Sequence, residues 1–211
     1  MANIKRFEDS LKEAADLIKS GQAVGVPTDT VYGLVCDACN FQAVRNLYAL
    51  KKRPLEKPFQ VVFSSLPRVG DFDLFLPSPL WELSQKFLPG ALCPIALAGP
   101  NCPLATTEGS GNGKSQAVRV PNLPPLLKLA SLCGPLACSS ANISSFPPSQ
   151  TAGQAALAFG GLVPLYLFSD QKPSLVPSTV VRALPASPMG VEILREGEIS
   201  PEEIYRFLSG R

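Results

Sequence analysis

A cluster of four cations, Lys51, Lys52, Arg53 and Lys57, lies within a short stretch of the chain. An arginine binds phosphate as a planar fork and a lysine binds it as a point charge, so such a cluster suits a polyphosphate. A plainer interpretation is a solvated helix end, because a helical pattern precedes the cluster and Pro54 ends it. Cations complement the dipole at a helix C-terminus, and the residues alone favour this plainer interpretation slightly.

The segment PTDTVYGL, residues 27–34, follows a short apolar run that is typical of a buried strand. Thr28, Asp29, Thr30 and Tyr32 offer hydroxyl and carboxylate groups, and Gly33 permits close approach of a backbone. An ordinary Asx turn explains the same pattern equally well, so both interpretations stay open.

Ser140 and Asn142 follow a second apolar strand pattern at 135–139. Their hydroxyl and amide groups suit a nucleotide, and a helix N-cap is the competing use. Arg119 and Arg195 lie inside apolar strand patterns, where a charge needs a partner unless the strand lies at a sheet edge. Polar residues at strand ends mark the usual place for ligands in open α/β sheets.

The composition limits the possible chemistry. The chain has 211 residues, 45% of them hydrophobic, which predicts one sizeable core and a single domain over residues 1–211. Its 19 basic and 17 acidic side chains give a net charge of +2, which argues against nucleic-acid binding through bulk charge. It contains no histidine, which excludes Ser-His and Cys-His nucleophiles. Catalysis must therefore rely on charge and positioning.

Cysteine usage and the N-terminus indicate a cytoplasmic protein. Cys36 and Cys39 have C-x-x-C spacing, but without histidine or a second such pair we expect buried free thiols rather than a zinc site. The N-terminal segment carries charges throughout and lacks the apolar run of a signal peptide or membrane helix.

Helical and strand patterns alternate along the chain, and their irregular spacing predicts an α/β fold with a mixed sheet. Ser10 with Glu13 and Ser200 with Glu203 predict capping boxes for the first and last helices, and Gly21 ends the first. Further helices are expected at 40–53, 78–87, 123–132 and 151–159, and strands at 22–27, 59–63, 92–98, 116–120, 135–139, 162–168, 178–184 and 191–195.

Six motifs, in this order, resemble the YrdC/Sua5 family over roughly residues 8–200. They are PTDTVYGL at 27–34, the K-x-R pair at 51–53 followed by Lys57-Pro58, V-R-x-P at 118–121, S-x-N at 140–142, S-T-V-V at 178–181 and R-x-G at 195–197. One such motif is weak evidence, whereas six in register are specific.

The resemblance implies a twisted mixed sheet with packed helices and an open cationic cleft, and an enzyme that forms threonylcarbamoyl-AMP from threonine, bicarbonate and ATP. This is the first step of threonylcarbamoyladenosine synthesis on tRNA, which would be an indirect partner through a threonylcarbamoyl transferase complex. Nucleotidyl transfer suits a histidine-free chain because it depends on alignment and neutralisation of phosphate charge. No membrane partner is expected.

The resemblance also assigns site residues. ATP phosphates, with Mg²⁺, would contact Lys51, Arg53, Lys57, Ser140, Asn142 and Arg195, of which Lys51 and Arg53 would be catalytic. Threonine and its carbamate would contact Thr28, Thr30, Tyr32, Arg119 and Ser178. The loop 108–115, rich in glycine and serine, is expected to cover the cleft when ATP binds.

Some positions depart from the family pattern. Ala91 and Cys93 lie where the family has P-G-P-x-T, Asn122 lies near a common histidine, and Ser145 replaces a glycine. The chain ends soon after the last motif, so we expect the short form of the family. Two alternatives are an RNA-binding module without synthase activity, which needs an extended basic surface, and a carbamoyl-transfer domain like that of hydrogenase-maturation proteins.

Overall fold

A computed structural model describes residues 2–106 and 114–210 and contains a mixed β-sheet with helices on both faces. The helices are α1 (Leu11–Lys19), α2 (Phe41–Lys51), α3 (Leu80–Phe87), α4 (Pro124–Cys133), α5 (Ala152–Phe159) and α6 (Pro201–Ser209). The strands are β1 (Ile4–Arg6), β2 (Val24–Val26), β3 (Gly33–Asp37), β4 (Gln60–Val62), β5 (Leu74–Phe75), β6 (Leu92–Ala98), β7 (Ser115–Arg119), β8 (Leu136–Ser140), β9 (Tyr166–Phe168), β10 (Thr179–Ala183) and β11 (Val191–Arg195). The expected α/β fold with a twisted mixed sheet is confirmed.

Strand pairing brings distant motifs together. The sheet order is β1-β9-β2-β3-β8-β4-β7-β6-β10-β11, and β5 pairs with β6 outside this path. Strands β3 and β8 are antiparallel with Gly33 opposite Ser140, whereas β4 and β7 are parallel with Val62 opposite Arg119. The motifs at 27–34 and 140–142 therefore meet where β3 pairs with β8, and β4 alone separates β8 from β7, which leads into the motif at 118–121.

Two apolar clusters cover the two faces of the sheet. One cluster packs α1 and α4 against β2, β8 and β9. The other cluster contains the buried residues of α2, α3, α5 and α6. Successive residues alternate between them, since Val61 belongs to one cluster and Val62 to the other. Val118 and Val120, on either side of Arg119 at the end of β7, belong to the cluster of α2, so Arg119 points to the opposite face.

Several expected elements differ in detail. The capping box at Ser10 is wrong, because Ser10 makes no side-chain cap and the Glu13 carboxylate instead accepts a hydrogen bond from Lys5. The capping box at Ser200 and Glu203 is confirmed. Strands β1, β3 and β5 were not predicted, and only residues 166–168 of the expected strand 162–168 form one.

Other expectations concern the loop, the cysteines and membranes. Residues 108–113 of the loop expected to cover the cleft lie outside the described residues. All six cysteines are free; Cys36 is buried and Cys39 is exposed, so the two members of the C-x-x-C pair lie in different environments. Within residues 2–106 and 114–210, no helix is long and apolar enough to cross a membrane.

Candidate active site

The turn at residues 28–31 leads directly into β3. Thr28 Oγ1 accepts hydrogen bonds from the backbone N–H groups of Thr30 and Val31, both at 3.1 Å, and donates to the Val31 carbonyl at 2.7 Å. The turn is thus held by a threonine hydroxyl. The Asx-turn interpretation is wrong, because the Asp29 carboxylate binds a different part of the chain.

Arg119 and Asp29 form a buried ion pair. Arg119 Nη2 donates to Asp29 Oδ1 at 2.7 Å, and the side chains are 2% and 11% exposed. Arg119 Nη1 donates to Thr30 Oγ1 at 2.8 Å, and its Nε donates to the Gly90 carbonyl at 3.1 Å. The second Asp29 oxygen accepts from the Asn122 backbone at 2.8 Å. The partner expected for Arg119 therefore lies in PTDTVYGL, and edge-strand exposure does not apply to it.

Lys51 is the last residue of α2 and is buried. Its ammonium donates to the Ser140 carbonyl, to the Asn142 carbonyl at 2.6 Å, and to Asn142 Oδ1 at 3.4 Å. Burial, and after it the charge of Arg53, lower the pKa of Lys51 to about 8. A solvated helix end does not describe this lysine, although it does describe the exposed Lys52.

The segment after β8 forms an irregular loop. Ser140 Oγ donates to Asn142 Oδ1, and Asn142 Nδ2 donates to the carbonyls of Ile143 and Phe146. The helix N-cap interpretation of Ser140 and Asn142 is therefore wrong, because α5 begins later and is capped by Thr151.

One pocket of about 260 Å³ joins the cation cluster to this loop. Arg53 borders it; its Nε donates to the Lys57 carbonyl at 2.7 Å, and its guanidinium carbon lies 5.3 Å from the centroid of the Phe59 ring. The pocket therefore combines positive charge with hydroxyl and amide groups, and its lining residues are Lys51, Lys52, Arg53, Pro54, Lys57, Ser140, Asn142, Ser144 and Ser145.

Arg195 lies at the end of the edge strand β11. Its Nε and Nη2 donate to the Ser178 carbonyl at 3.1 and 2.8 Å, and Nη2 also reaches Ser178 Oγ at 3.1 Å. A Cβ added at Gly197 would lie 2.2 Å from the Pro177 carbonyl oxygen, so only glycine permits this approach of the two segments. The contact ties the R-x-G motif to the S-T-V-V motif.

Tyr32 is the predicted site residue whose side chain lies in the core. It is 2% exposed, and its hydroxyl donates to the Leu167 carbonyl of β9 at 2.8 Å. Burial also raises the pKa of its phenol well above the ordinary value. Its backbone does take part in the site, because the Tyr32 carbonyl accepts from the Ala141 N–H at 2.9 Å.

Sequence reasoning named Asp29 among the polar groups of PTDTVYGL without giving it a partner, and it noted Ser145 only as a departure from the family pattern. An aspartate in a strand-end turn and an arginine in a strand are a signal for pairing, and that signal was available for Asp29. Ser145 has a φ of 74°, in the left-handed region, and lines the cation pocket. Nothing in its local sequence indicates that conformation apart from the family's glycine.

Buried thiols form part of the face that carries Arg119. Cys93 Sγ donates to Gln60 Oε1 at 3.5 Å, and Cys138 lies opposite Gln60 in the β4–β8 pairing. Burial raises the pKa of both Cys93 and Cys138 to about 11, so both remain protonated near neutral pH.

The side chains that line the cation pocket limit how a metal ion could bind there. It offers hydroxyl and amide oxygens with several cations and, among its described residues, no carboxylate. Magnesium in proteins is bound by carboxylates, water and substrate phosphates. The lining therefore fits Mg²⁺ carried by a polyphosphate better than a resident metal ion.

Comparisons with known proteins give the family. The family model Sua5_yciO_yrdC, described as telomere recombination, matches residues 16–197. A protein of Mycobacterium tuberculosis is 35% identical over 195 residues, which are 92% of this chain and 87% of that protein. The threonylcarbamoyl-AMP synthase of Pyrococcus abyssi is 30% identical over 206 residues, and this chain spans 59% of its length.

The structural comparison agrees. The crystal structure of P. abyssi Sua5 complexed with L-threonine matches with a TM-score of 0.86 and 30% identity, over 97% of this chain and 59% of that chain. Because the family model and these relatives each cover most of it, the chain belongs to the Sua5/YciO/YrdC family.

Proposed function

We propose that this protein is an L-threonylcarbamoyladenylate synthase, a nucleotidyltransferase that uses L-threonine, bicarbonate and ATP and releases pyrophosphate. The observation that carries the proposal is the adjacency of two centres of different charge. One is the cation pocket, and the other is the Arg119–Asp29 pair. They are joined by the β3–β8 pairing of Gly33 with Ser140.

The cation pocket suits the ATP phosphates. Arg53 and Lys57 supply positive charge at its rim, and Ser140 and Asn142 supply hydrogen-bonding groups beside the buried charge of Lys51. Arg195 adds a cation from the other side of the site and influences Arg53 electrostatically. Magnesium enters as the complex with ATP, so it is part of the substrate.

The Arg119–Asp29 pair suits a free amino acid. An ion pair presents both signs of charge and so matches a zwitterion, whereas a polyphosphate would be repelled by Asp29. Thr28 and Thr30 add hydroxyls to the same turn, and Ser178 adds one from the segment held by Arg195. Tyr32 contributes by fixing the turn through its core contacts rather than by touching threonine.

The chemistry follows from placing these ligands side by side. The threonine ammonium and bicarbonate combine to form a carbamate, with a new C–N bond and release of water and one proton to solvent. An oxygen of this carbamate then attacks the α-phosphorus of ATP. A new bond forms between the carbamate oxygen and the α-phosphorus. The bond from the α-phosphorus to the oxygen that bridges the α- and β-phosphates breaks, and pyrophosphate leaves with the negative charge of that oxygen. The chain's contribution is alignment and neutralisation of that charge by Arg53 and its neighbours.

The test is pyrophosphate release from ATP with Mg²⁺ and bicarbonate, comparing threonine, serine and no amino acid. We expect threonine-dependent release, with threonylcarbamoyl-AMP detected by mass spectrometry. Arg53→Gln should lower kcat/KM for ATP at least about tenfold, since a charge-assisted hydrogen bond is worth about 1.5–3 kcal/mol. Lys19→Gln, at the exposed end of α1, is the matched control and should behave as wild type.

Two results would contradict the proposal. Folded wild-type protein that releases no pyrophosphate under any condition would overturn the synthase function. RNA affinity unaffected by Arg53→Gln, together with no ATP binding, would favour the RNA-binding alternative.

We further propose that residues 1–211 act as one YrdC-like domain in the cytoplasm, with tRNA reached indirectly through a transferase complex.

A further inference from the structure

Lys51 differs from a typical phosphate-binding lysine in where its N–H groups point. The residue is 1% exposed, and its ammonium has three oxygen acceptors, which belong to Ser140 and Asn142. An ammonium group has three N–H donors and no acceptor. The three contacts therefore occupy the donors of Lys51 within the protein itself.

The backbone of Lys51 holds the same loop a second time. The Lys51 carbonyl accepts from the Ser144 N–H at 2.9 Å. Lys51 therefore contacts residues 140–144 through both its backbone and its side-chain ammonium. Asn142 Oδ1 receives Ser140 Oγ as well as Lys51, which links the loop's polar groups into one network. These contacts order a segment that has no helix or strand of its own after Ser140.

The charge of Lys51 has no carboxylate partner among the described residues that act on it. The facing titratable groups are Arg53, from the end of its own helix, and Cys138 on β8. Arg53 is a cation, and burial raises the pKa of the Cys138 thiol to about 11, so neither supplies negative charge near neutral pH. Carbonyl dipoles alone stabilise the ammonium, and a buried cation in this position is incompletely compensated.

We propose that Lys51 is a positioning residue of the nucleotide site, which orders residues 140–144 through its ammonium and gains a counter-charge only when a polyphosphate binds. The inference rests on the proposed function in taking ATP as the ligand. It has a measurable consequence: above neutral pH the empty protein holds Lys51 partly deprotonated, and nucleotide binding takes up a proton there. Binding and protonation are linked at this one residue.

The first experiment uses the wild-type protein. Calorimetric titration with ATP and saturating Mg²⁺ at pH 8, in Tris and in HEPES, separates proton uptake from binding through the different ionisation enthalpies of the two buffers. We expect uptake of up to about half a proton per nucleotide at pH 8 and close to none at pH 6.5, where Lys51 is protonated in both states. Equal and negligible uptake at the two pH values would overturn the inference.

The second experiment assigns the proton. Lys51→Met keeps the buried stem and removes the charge, and Lys51→Arg keeps the charge and changes its shape. Lys19→Met, at the exposed end of α1 and outside the pocket lining, is the matched control. We expect both Lys51 variants to bind ATP at least about tenfold more weakly, because methionine lacks the charge and a guanidinium does not fit the three-acceptor arrangement. Both should also lose the proton uptake, because methionine does not titrate and arginine stays protonated. Lys19→Met should keep both the wild-type affinity and the uptake. Full rescue by Lys51→Arg would mean that Lys51 acts as a charge alone.

The outcomes separate this inference from the proposed function. If threonine-dependent pyrophosphate release is present in wild type but proton uptake is absent, or is retained in Lys51→Met, the positioning role fails and the synthase function stands. If folded wild-type protein binds no ATP, both fail. Even if the Lys51 variants do not fold, negligible proton uptake in the wild-type titration overturns the inference.

Discussion

Two buried cations, Arg119 and Lys51, lie in the same site and are compensated in different ways. Each is 1% exposed. Arg119 has a carboxylate partner, Asp29, whereas Lys51 has only carbonyl and amide oxygens. The pair formed by Arg119 has no net charge, and the environment of Lys51 keeps its positive charge.

The difference explains how one small site can hold two unlike ligands. A neutral ion pair is satisfied before any ligand arrives and matches a zwitterion, and removing one partner leaves the other charge buried and uncompensated. An unpaired buried cation weakens the empty fold and is stabilised when an anion binds. We therefore expect changes near Arg119 to act first on stability, and changes near Lys51 to act through pH and nucleotide binding.

The largest effect is expected from Asp29→Asn. This variant leaves the Arg119 guanidinium buried without a counter-charge, which should lower the free energy of unfolding by about 3 kcal/mol. Urea denaturation measures it. The control is Asp170→Asn, which breaks an exposed ion pair with Arg6 and should cost at most about 1 kcal/mol. Equal losses in the two variants would show that Arg119 does not depend on Asp29.

The next effect concerns the pH dependence of stability at Lys51. Its folded pKa of about 8 lies below the unfolded value of 10.5, so between these values the unfolded chain binds more protons and stability rises with pH. Relative to Lys51→Met, wild type should gain about 2 kcal/mol in unfolding free energy between pH 7 and pH 9.5.

The effect of Lys51 is measured as the difference in unfolding free energy between wild type and Lys51→Met at each pH. Burial raises the pKa of Cys93 and Cys138 above the ordinary thiol value, so these groups lower stability as pH rises, and they do so in both proteins. Parallel pH profiles for wild type and Lys51→Met would contradict the incomplete compensation of Lys51.

A smaller effect is expected from Tyr32→Phe, beside the Arg119 centre. Loss of the hydroxyl leaves the Leu167 carbonyl without this donor and should cost about 1 kcal/mol of stability, with the KM for threonine unchanged within about twofold. Tyr205→Phe, on an exposed helix face, is the control for stability. A large increase in the KM for threonine, with stability unchanged, would show that the Tyr32 hydroxyl contacts threonine.

The smallest effect is expected from Ser145→Gly, beside the Lys51 centre. Glycine relieves the positive φ of 74° but enlarges the freedom of the unfolded chain, for a net gain of about 0.5 kcal/mol. Ser144→Gly, at a neighbouring position without a positive φ, should instead lose a similar amount. The midpoints of urea unfolding distinguish the two, and a loss in both would mean that Ser145 is not strained.

Local patterns predicted most of the elements that position the site. Pro54 limits α2, so Lys51 had to lie near a helix end, and the apolar runs around Arg119 and before Ser140 became β7 and β8. The strand β3 was not predicted, because its five residues directly follow a turn-forming segment; it pairs both with the nearby β2 and with the distant β8. The expected cap at Ser10 failed because the Glu13 carboxylate instead binds Lys5 of β1, eight residues before it.

The sequence by itself determined the types of groups in this site, the elements that carry them and, through six ordered motifs, the family. Only the tertiary structure decided their partners and charge. Arg119 meets Asp29 across 90 residues, and Lys51 meets Asn142 across 91. Local pattern cannot specify such contacts, because they depend on strand order and on burial, which sets how much a charge costs once water is removed.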